Sequence, residues 1–390
     1  MNVEVLSIVE RAERFMRDVA LGAVREWKQR TGGPAIGYLP IWAPRELLHA
    51  QGALPVGLMG AGEDVEIIRG DADYQSYICH LPRGIVELGL GGQLDVLDGM
   101  LFPAICDVIR NLSGIWKMRF PRQLVRYLDV PQNFTPAIGG AFLRRELEEL
   151  SRELVEHGAR PYDEEALRAS IGAYNRNRAR VRELYALRER EPWRVPTWEM
   201  YLILRAGLVL PVEEFDLLLD DYRAAIERDD ERRPLDQARV LLVGSFCEQP
   251  PIGLIKTLER SGCYIVDDDF VQIHRFLRGD IALDGDPLAN LVDSFLHDAV
   301  ASPTRYTEPG EKQRSMIERA RACRAEGVVF CAPSFCDPAL LDQPLATRAV
   351  DALGLPWTAF KYSENTGQFQ VIREQAGTFA DSIKLWSGAN

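Results

Sequence analysis

Over residues 1–31, Val5, Ile8, Val9, Ala12 and Phe15 recur at three- and four-residue steps. That period predicts one amphipathic helix, closed by Thr31-Gly32-Gly33-Pro34. The pattern then changes to short apolar runs. Residues 34–39 (PAIGYL), 54–59 (LPVGLM), 97–102 and 115–120 (IWKMRF) read as four strands. A short helix opens at Pro44. A second is expected to hold Tyr74, Tyr77, Ile78 and Cys79, capped by Asp71-Ala72-Asp73, and to run on or restart at Pro82. A third starts near Val108. Strands alternating with helices predict a parallel α/β sheet.

From residue 139 to 235 charged helical runs dominate, for example FLRRELEELSRELVEHG. Glu148 with Arg152 and Glu164 with Arg168 stand at four-residue steps, the spacing of helix-surface ion pairs. This stretch is read as solvated helices linking two lobes. A second strand–helix pattern follows: strands over 240–245 (VLLVGS), 264–266, 328–330 and 357–361, with helices over 251–261, 312–326, 337–353 and 371–385. The expected organisation is therefore an N-terminal α/β lobe (1–138), a helical connecting region (139–235) and a C-terminal α/β lobe (236–390). No repeat is visible beyond that coarse symmetry.

Length and charge narrow the function. A chain of 390 residues suits two to three domains, and 46% hydrophobic residues suffice for a full core. A net charge of −12 argues against nucleic acid as the main partner, but not against an anionic ligand in a local basic pocket. The first residues carry acids and lack the apolar core of a signal peptide, and no apolar run is long enough to span a membrane. A cytoplasmic protein is expected. Seven cysteines in that compartment point away from a disulfide framework, toward buried side chains, metal ligands or reactive thiols.

The stretch 327–338 (GVVFCAPSFCDP) concentrates the candidate chemistry. A buried strand leads through Pro333 to Cys331 and Cys336 at or past its carboxyl end, where open α/β sheets bind ligands. Cys336-Asp337 is echoed by Cys106-Asp107, also after a strand and before a helix. A thiolate at a helix amino end is favoured electrostatically. With Cys79 from a third loop, these thiolates suit three irons of a cubane cluster. Apolar half-buried cysteines remain an alternative. Zinc is a lesser one, since CxxC pairs are absent and histidine is scarce. Cys247 and Cys331 are second-tier ligand candidates. Cys263 reads as structural and Cys323 as an ordinary helical residue. Asp267-Asp268-Asp269 reads as a metal site or a cap, and His80 as a candidate proton donor. The chain has no GxxxxGK[ST], no GxGxxG after a strand and no GxSxG, so P-loop and serine-hydrolase chemistry are not expected.

Several of these segments carry a family resemblance. GYLPIWAPRELLHAQGALPVGL, the cysteine at 79, the CD at Cys106 and FCDP at Cys336 resemble the 2-hydroxyacyl-CoA dehydratase superfamily. GSFCEQPPIGLIKTLERSGCYIVDDD and YSENTGQFQVIREQAGTFADSIKLW resemble, within it, the C-type branch of the ATP-dependent (class I) benzoyl-CoA reductases. The resemblance implies two flavodoxin-like lobes around a 4Fe–4S cluster, with Cys79, Cys106 and Cys336 as ligands. It implies a related B-type partner subunit, two ATPase subunits, reduced ferredoxin as electron source and benzoyl-CoA as substrate. By the same resemblance, Glu46 and Glu364 are candidate catalytic groups and Gln368 and Arg373 candidate substrate contacts. A dehydratase subunit, or a scaffold subunit whose partner holds the active cluster, are the rival expectations.

Overall fold

The computed structural model describes residues 2–62, 65–363 and 369–387. The chain opens with α1 (Val3–Arg17) and α2 (Gly22–Thr31), not with the single helix expected over 1–31. The break is local chemistry. Leu21 takes a left-handed backbone at φ 55°, and Asp18 Oδ2 accepts a 2.6 Å hydrogen bond from the Gly22 N–H, so the helix starts afresh.

The first sheet contains β1 (Ala35–Tyr38), β2 (Leu54–Gly57), β3 (Gly99–Pro103) and β4 (Leu124–Leu128). The intervening helices are α3 (Arg45–Ala50), α4 (His80–Leu90) and α5 (Asp107–Arg119). All strand pairs are parallel, in the order β2-β1-β3-β4. The strand expected at 115–120 is instead the last turn of α5 and its cap. Ile109, Leu112 and Trp116 bury at helical spacing, and the Trp116 ring packs 4.3 Å from that of Phe120. That period, set by packing, overrides the β preference of Ile, Trp and Phe.

Four helices follow: α6 (Ala141–Glu156), α7 (Glu164–Arg190), α8 (Thr197–Ala206) and α9 (Val212–Glu227). They are not merely solvated links, since α7 buries Leu167, Ile171, Tyr174, Val181 and Leu184. The ion pairs differ from the expected ones: Glu148 bonds Arg144, and Arg168 contacts Glu165.

The second sheet contains β5 (Ala238–Val243), β6 (Cys263–Asp267), β7 (Gly327–Pro333) and β8 (Trp357–Tyr362). Around it lie α10 (Ile252–Arg260), α12 (Glu311–Ala322), α13 (Asp337–Ala352) and α14 (Gln370–Ser387), while α11 (Pro287–His297) packs on α6 and α7. Its order, β6-β5-β7-β8, is again second-first-third-fourth and again parallel. Two flavodoxin-like lobes with one topology are therefore joined by helices. In each, the switch point lies between the first and third strands, where a crevice opens at the strand carboxyl ends. Every residue of β7 is buried, as a central parallel strand covered on both faces requires.

Side chains tie the lobes together. Trp42 Nε1 donates to Thr304 Oγ1 at 3.1 Å, and Arg45 bonds the His274 ring and the Ile273 carbonyl. Among the described residues, no helix is long and apolar enough to cross a membrane.

Candidate metal centre

Cys79, Cys106 and Cys336 stand in one local setting: each is the N-cap residue of a helix, α4, α5 and α13 respectively. Cys106 and Cys336 follow the third strand of their own sheets, so the repeated CD dipeptide marks equivalent points of two equal topologies. Cys79 differs from expectation. It precedes a helix, with only a short turn at Gly70–Ala72 upstream, and does not lie within one. Pro82 explains this, because a continuous helix would need its missing N–H and would clash with the preceding turn. In the first turn of α4 neither cost arises.

Three separate loops bring these thiols together, and a fourth joins them. Burial pushes the Cys79 thiol well up, and the charges of Glu248, Cys336 and Cys106 push it further. Cys247, in the loop after β5, is raised by burial and then by Cys336, Cys106 and Cys79. Burial raises Cys106 against the backbone N–H groups of Ile109 and Val108, which favour its thiolate. It pushes Cys336 up to about 12 against the N–H of Ala339. Four thiols from both lobes thus sense one another's charge.

The three cysteines outside this group are buried in or beside the regular elements. Cys331 is fully buried within β7, Cys263 is fully buried at the start of β6, and Cys323 caps the end of α12.

The donor set consists of thiols, the donors that suit iron and sulfur. Among the described residues, no three His, Cys, Asp or Glu donors are grouped closely enough to hold one metal ion. A cubane asks for something wider, because each thiolate binds a different iron. The buried Tyr74 hydroxyl has no hydrogen-bond partner among the described residues, and Cys79 and Cys106 are among the charges that raise it. Such an orphaned donor beside thiolates suits a sulfur-rich group that accepts hydrogen bonds.

Glu248, adjacent to Cys247, closes the site from the second lobe. Its Oε2 accepts hydrogen bonds from the backbone N–H of His80 at 2.8 Å and of Leu81 at 3.3 Å, the first turn of α4. Tyr362 OH in turn bonds the Glu248 carbonyl. Burial and Arg83 hold the His80 imidazole below its ordinary pKa. Sequence reasoning misses Tyr74 and Glu248. For Glu248 the usable signal is its place directly after a cysteine at a strand end.

The other candidates lie elsewhere. Glu46 is buried in α3, where Arg178 Nη1 donates to its Oε1 at 2.5 Å. Burial alone would raise its carboxyl, but Arg178 and Arg45 outweigh that and hold it below the ordinary value. None of the four thiols is among the groups that perturb it. Arg373 is exposed near the start of α14. Glu364 and Gln368 lie outside the described residues. Asp267 and Asp269 pair with Arg319, and Asp268 with the fully buried Arg188, so that acidic run is neutralised by arginine.

Two parallel lobes converging on a set of helix-capping thiols define a class: a two-lobed α/β protein that gathers cysteines from both lobes at the carboxyl ends of its strands. The profile of the 2-hydroxyglutaryl-CoA dehydratase D-component family matches residues 40–383, and the chain belongs to that family. It is 52% identical to the C-type subunit of benzoyl-CoA reductase from Thauera aromatica over 97% of this chain and 99% of the relative. It is 27% identical to the beta subunit of lactoyl-CoA dehydratase from Anaerotignum propionicum over 97% and 100%. To the (R)-phenyllactyl-CoA dehydratase beta subunit of Clostridium sporogenes it is 23% identical over 91% and 93%.

Proposed function

We propose that this chain is the C-type iron–sulfur subunit of an ATP-dependent benzoyl-CoA reductase that dearomatises its thioester substrate during anaerobic aromatic degradation. One observation carries the reading: 52% identity over essentially the whole of both chains to the C-type subunit of a benzoyl-CoA reductase, against 27% to a dehydratase subunit of equal coverage. As a member of such a complex the chain is part of an oxidoreductase acting on a CoA thioester.

Cys79, Cys106 and Cys336 would hold a 4Fe–4S cluster through their thiolates, with Cys247 beside them. When bound, such a cluster supplies single electrons at low potential. The chain's own groups prepare its seat. Backbone N–H groups of Val108, Ile109 and Ala339 favour the Cys106 and Cys336 thiolates, and Cys247 and Cys336 are buried from solvent. Water exclusion matters because a reduced aromatic ring must take its protons from placed donors, not from solvent. Benzoyl-CoA gains two electrons and two protons to give a cyclic dienoyl-CoA. The electrons come from reduced ferredoxin, driven by ATP hydrolysis on two ATPase subunits, and a related B-type subunit completes the active site. Glu364, Gln368 and the exposed Arg373 are proposed to face the substrate. Glu46, locked to Arg178, acts as an anchoring carboxylate in this reading and not as a proton donor.

The test is anaerobic co-production of the chain with its partner subunits, followed by turnover with benzoyl-CoA, ATP and reduced ferredoxin. A dienoyl-CoA product formed with ATP hydrolysis is expected. Loss of water from a 2-hydroxyacyl-CoA, with no ring reduction, would replace this reading with the dehydratase one. Full turnover with Cys79, Cys106 and Cys336 all changed to alanine would reduce the chain to a scaffold.

A further inference from the structure

Between α7 and the segment after β6 lies a cleft of about 430 Å³ that contains none of the thiols. Arg178 and Arg182 line it from α7, Arg275 and Arg278 from the segment after β6, and Arg319 from α12. Its lining acids are Asp268, already buried against Arg188, and the exposed Glu318. A wall of guanidinium groups on a chain of net charge −12 is unusual enough to ask what it serves.

The arginines are held from behind. Arg178 is fixed by Glu46, Arg275 by Asp267, and Arg319 by Asp267 and Asp269. None of Glu46, Asp267 and Asp269 lines the cleft. Arg319 is bonded through all three nitrogens, to Asp267, Asp269 and the Asp268 carbonyl, and contributes charge alone, whereas Arg178, held by Glu46 and Asn175 through its Nη atoms, keeps Nε as a donor, and a positive wall with such a donor suits a phosphate. At the rim, Arg182 meets the half-exposed Asp280, and Arg278 only approaches Glu311 at 3.9 Å.

Two buried polar atoms are left over. Arg178 Nε and Gln272 Oε1 have no hydrogen-bond partner among the described residues, and their side chains are 3% and 8% exposed. One needs an acceptor and the other a donor. A ligand with both phosphate oxygens and hydroxyl or amide N–H groups satisfies both. The cleft also continues inward. Gln272, Ala301, Ser315 and Arg319 line a second, narrower cavity of about 70 Å³, whose wall includes Ala332 and Ala339. Ala339 is the residue whose N–H favours the Cys336 thiolate.

We propose that this arginine cleft binds the phosphorylated nucleotide end of a coenzyme A thioester, with Gln272 marking the passage toward the helix that carries Cys336. The proposal rests on the reading of the chain as a subunit acting on CoA thioesters, and adds where the nucleotide is held. It also gives Glu46 a function as the positioning residue for Arg178.

The test titrates the full chain, prepared anaerobically, with adenosine 3′,5′-bisphosphate and separately with ATP and inorganic phosphate. The bisphosphate is expected to bind best. The rim variant Arg182→Ala/Arg278→Ala should weaken it by roughly tenfold or more, since each lost charge-assisted bond is worth a factor of that order. Its thermal midpoint and iron content should stay at wild-type values. In the assembled enzyme the same variant should raise the KM for the thioester. No bisphosphate binding by wild type, equal binding by the variant, or preference for ATP or free phosphate would each overturn the site. Failure of the reductase reading is separable. A dehydratase would still bind the bisphosphate here, whereas a reductase with normal bisphosphate affinity in the rim variant would lose only this cleft.

Discussion

The Glu248 carboxylate accepts the His80 backbone N–H at 2.8 Å, so a residue of the second lobe caps a helix of the first. The two residues flank Cys247 and Cys79, and the bond fixes the thiols of the two lobes relative to one another. Glu248→Ala should release the start of α4. It is expected to cost about 1–3 kcal/mol in urea unfolding and to lower iron per chain, while Glu248→Gln, which keeps an accepting oxygen, should retain most of both. Unchanged iron and stability in the alanine variant would show that the contact positions nothing.

The helix-capping thiols make a sharper prediction. Cys79→Ala, Cys106→Ala and Cys336→Ala should each abolish stoichiometric iron and sulfide and the cluster EPR signal in anaerobically co-produced protein. Cys247→Ala is expected to keep its iron if the other three are the ligands, as proposed. Loss of iron in Cys247→Ala and retention in one of the others would exchange their assignments.

Away from the site, Glu259 is half-buried with its carboxyl raised to about 7, first by loss of solvent around it, against the bonds it accepts from Thr197 and Trp198. Its Oε2 has no partner among the described residues. Below pH 4.5, the ordinary value, folded and unfolded chains both carry the proton and nothing is lost. As pH rises toward about 7 the unfolded chain ionises first, so stability falls, and above that value the penalty is complete. Glu259→Gln should therefore stabilise the protein at pH 8, by up to ~3 kcal/mol, and have little effect at pH 4. Thermal melts at the two pH values check the sign.

Trp116 tests the revised first lobe. It is 1% exposed, packs on Phe102 and Phe120, and donates its indole N–H to Gln123 at 2.8 Å. Trp116→Ala should cost about 3–5 kcal/mol in denaturant unfolding. A strand residue with one face toward solvent would cost much less, so the measurement separates the helix from the strand expected there.

The site is legible in the sequence wherever local pattern and chemistry coincide. An apolar run, a proline and a cysteine before an acid place Cys106 and Cys336 at helix starts after strands, because strand, turn and helix start are all local signals. Cys79 is legible as a candidate, but its place outside a helix depends on the effect of Pro82 on the residues before it, which the periodicity of Tyr74, Tyr77 and Ile78 hides. The segment IWKMRF misleads because β-prone residues sit on a helical period that only the packing of Trp116 reveals. Leu21 breaks the first helix through a backbone angle and a side-chain cap that no apolar spacing records. The place of Cys247 beside the other thiols and the reach of Glu248 to His80 are long-range facts, fixed only when the two sheets meet.

Cys79 and Cys106 emerge early in synthesis, but Cys336 follows only after the helical middle and most of the second sheet. Since α/β lobes fold largely in the order they are made, the nascent first lobe exposes two thiols for a long interval with no possibility of completing the set. On the proposed ligand set, cluster insertion would belong to the end of synthesis, after α13 has folded. A truncated product ending before β7 would then carry Cys79, Cys106 and Cys247 without the thiol that completes the set.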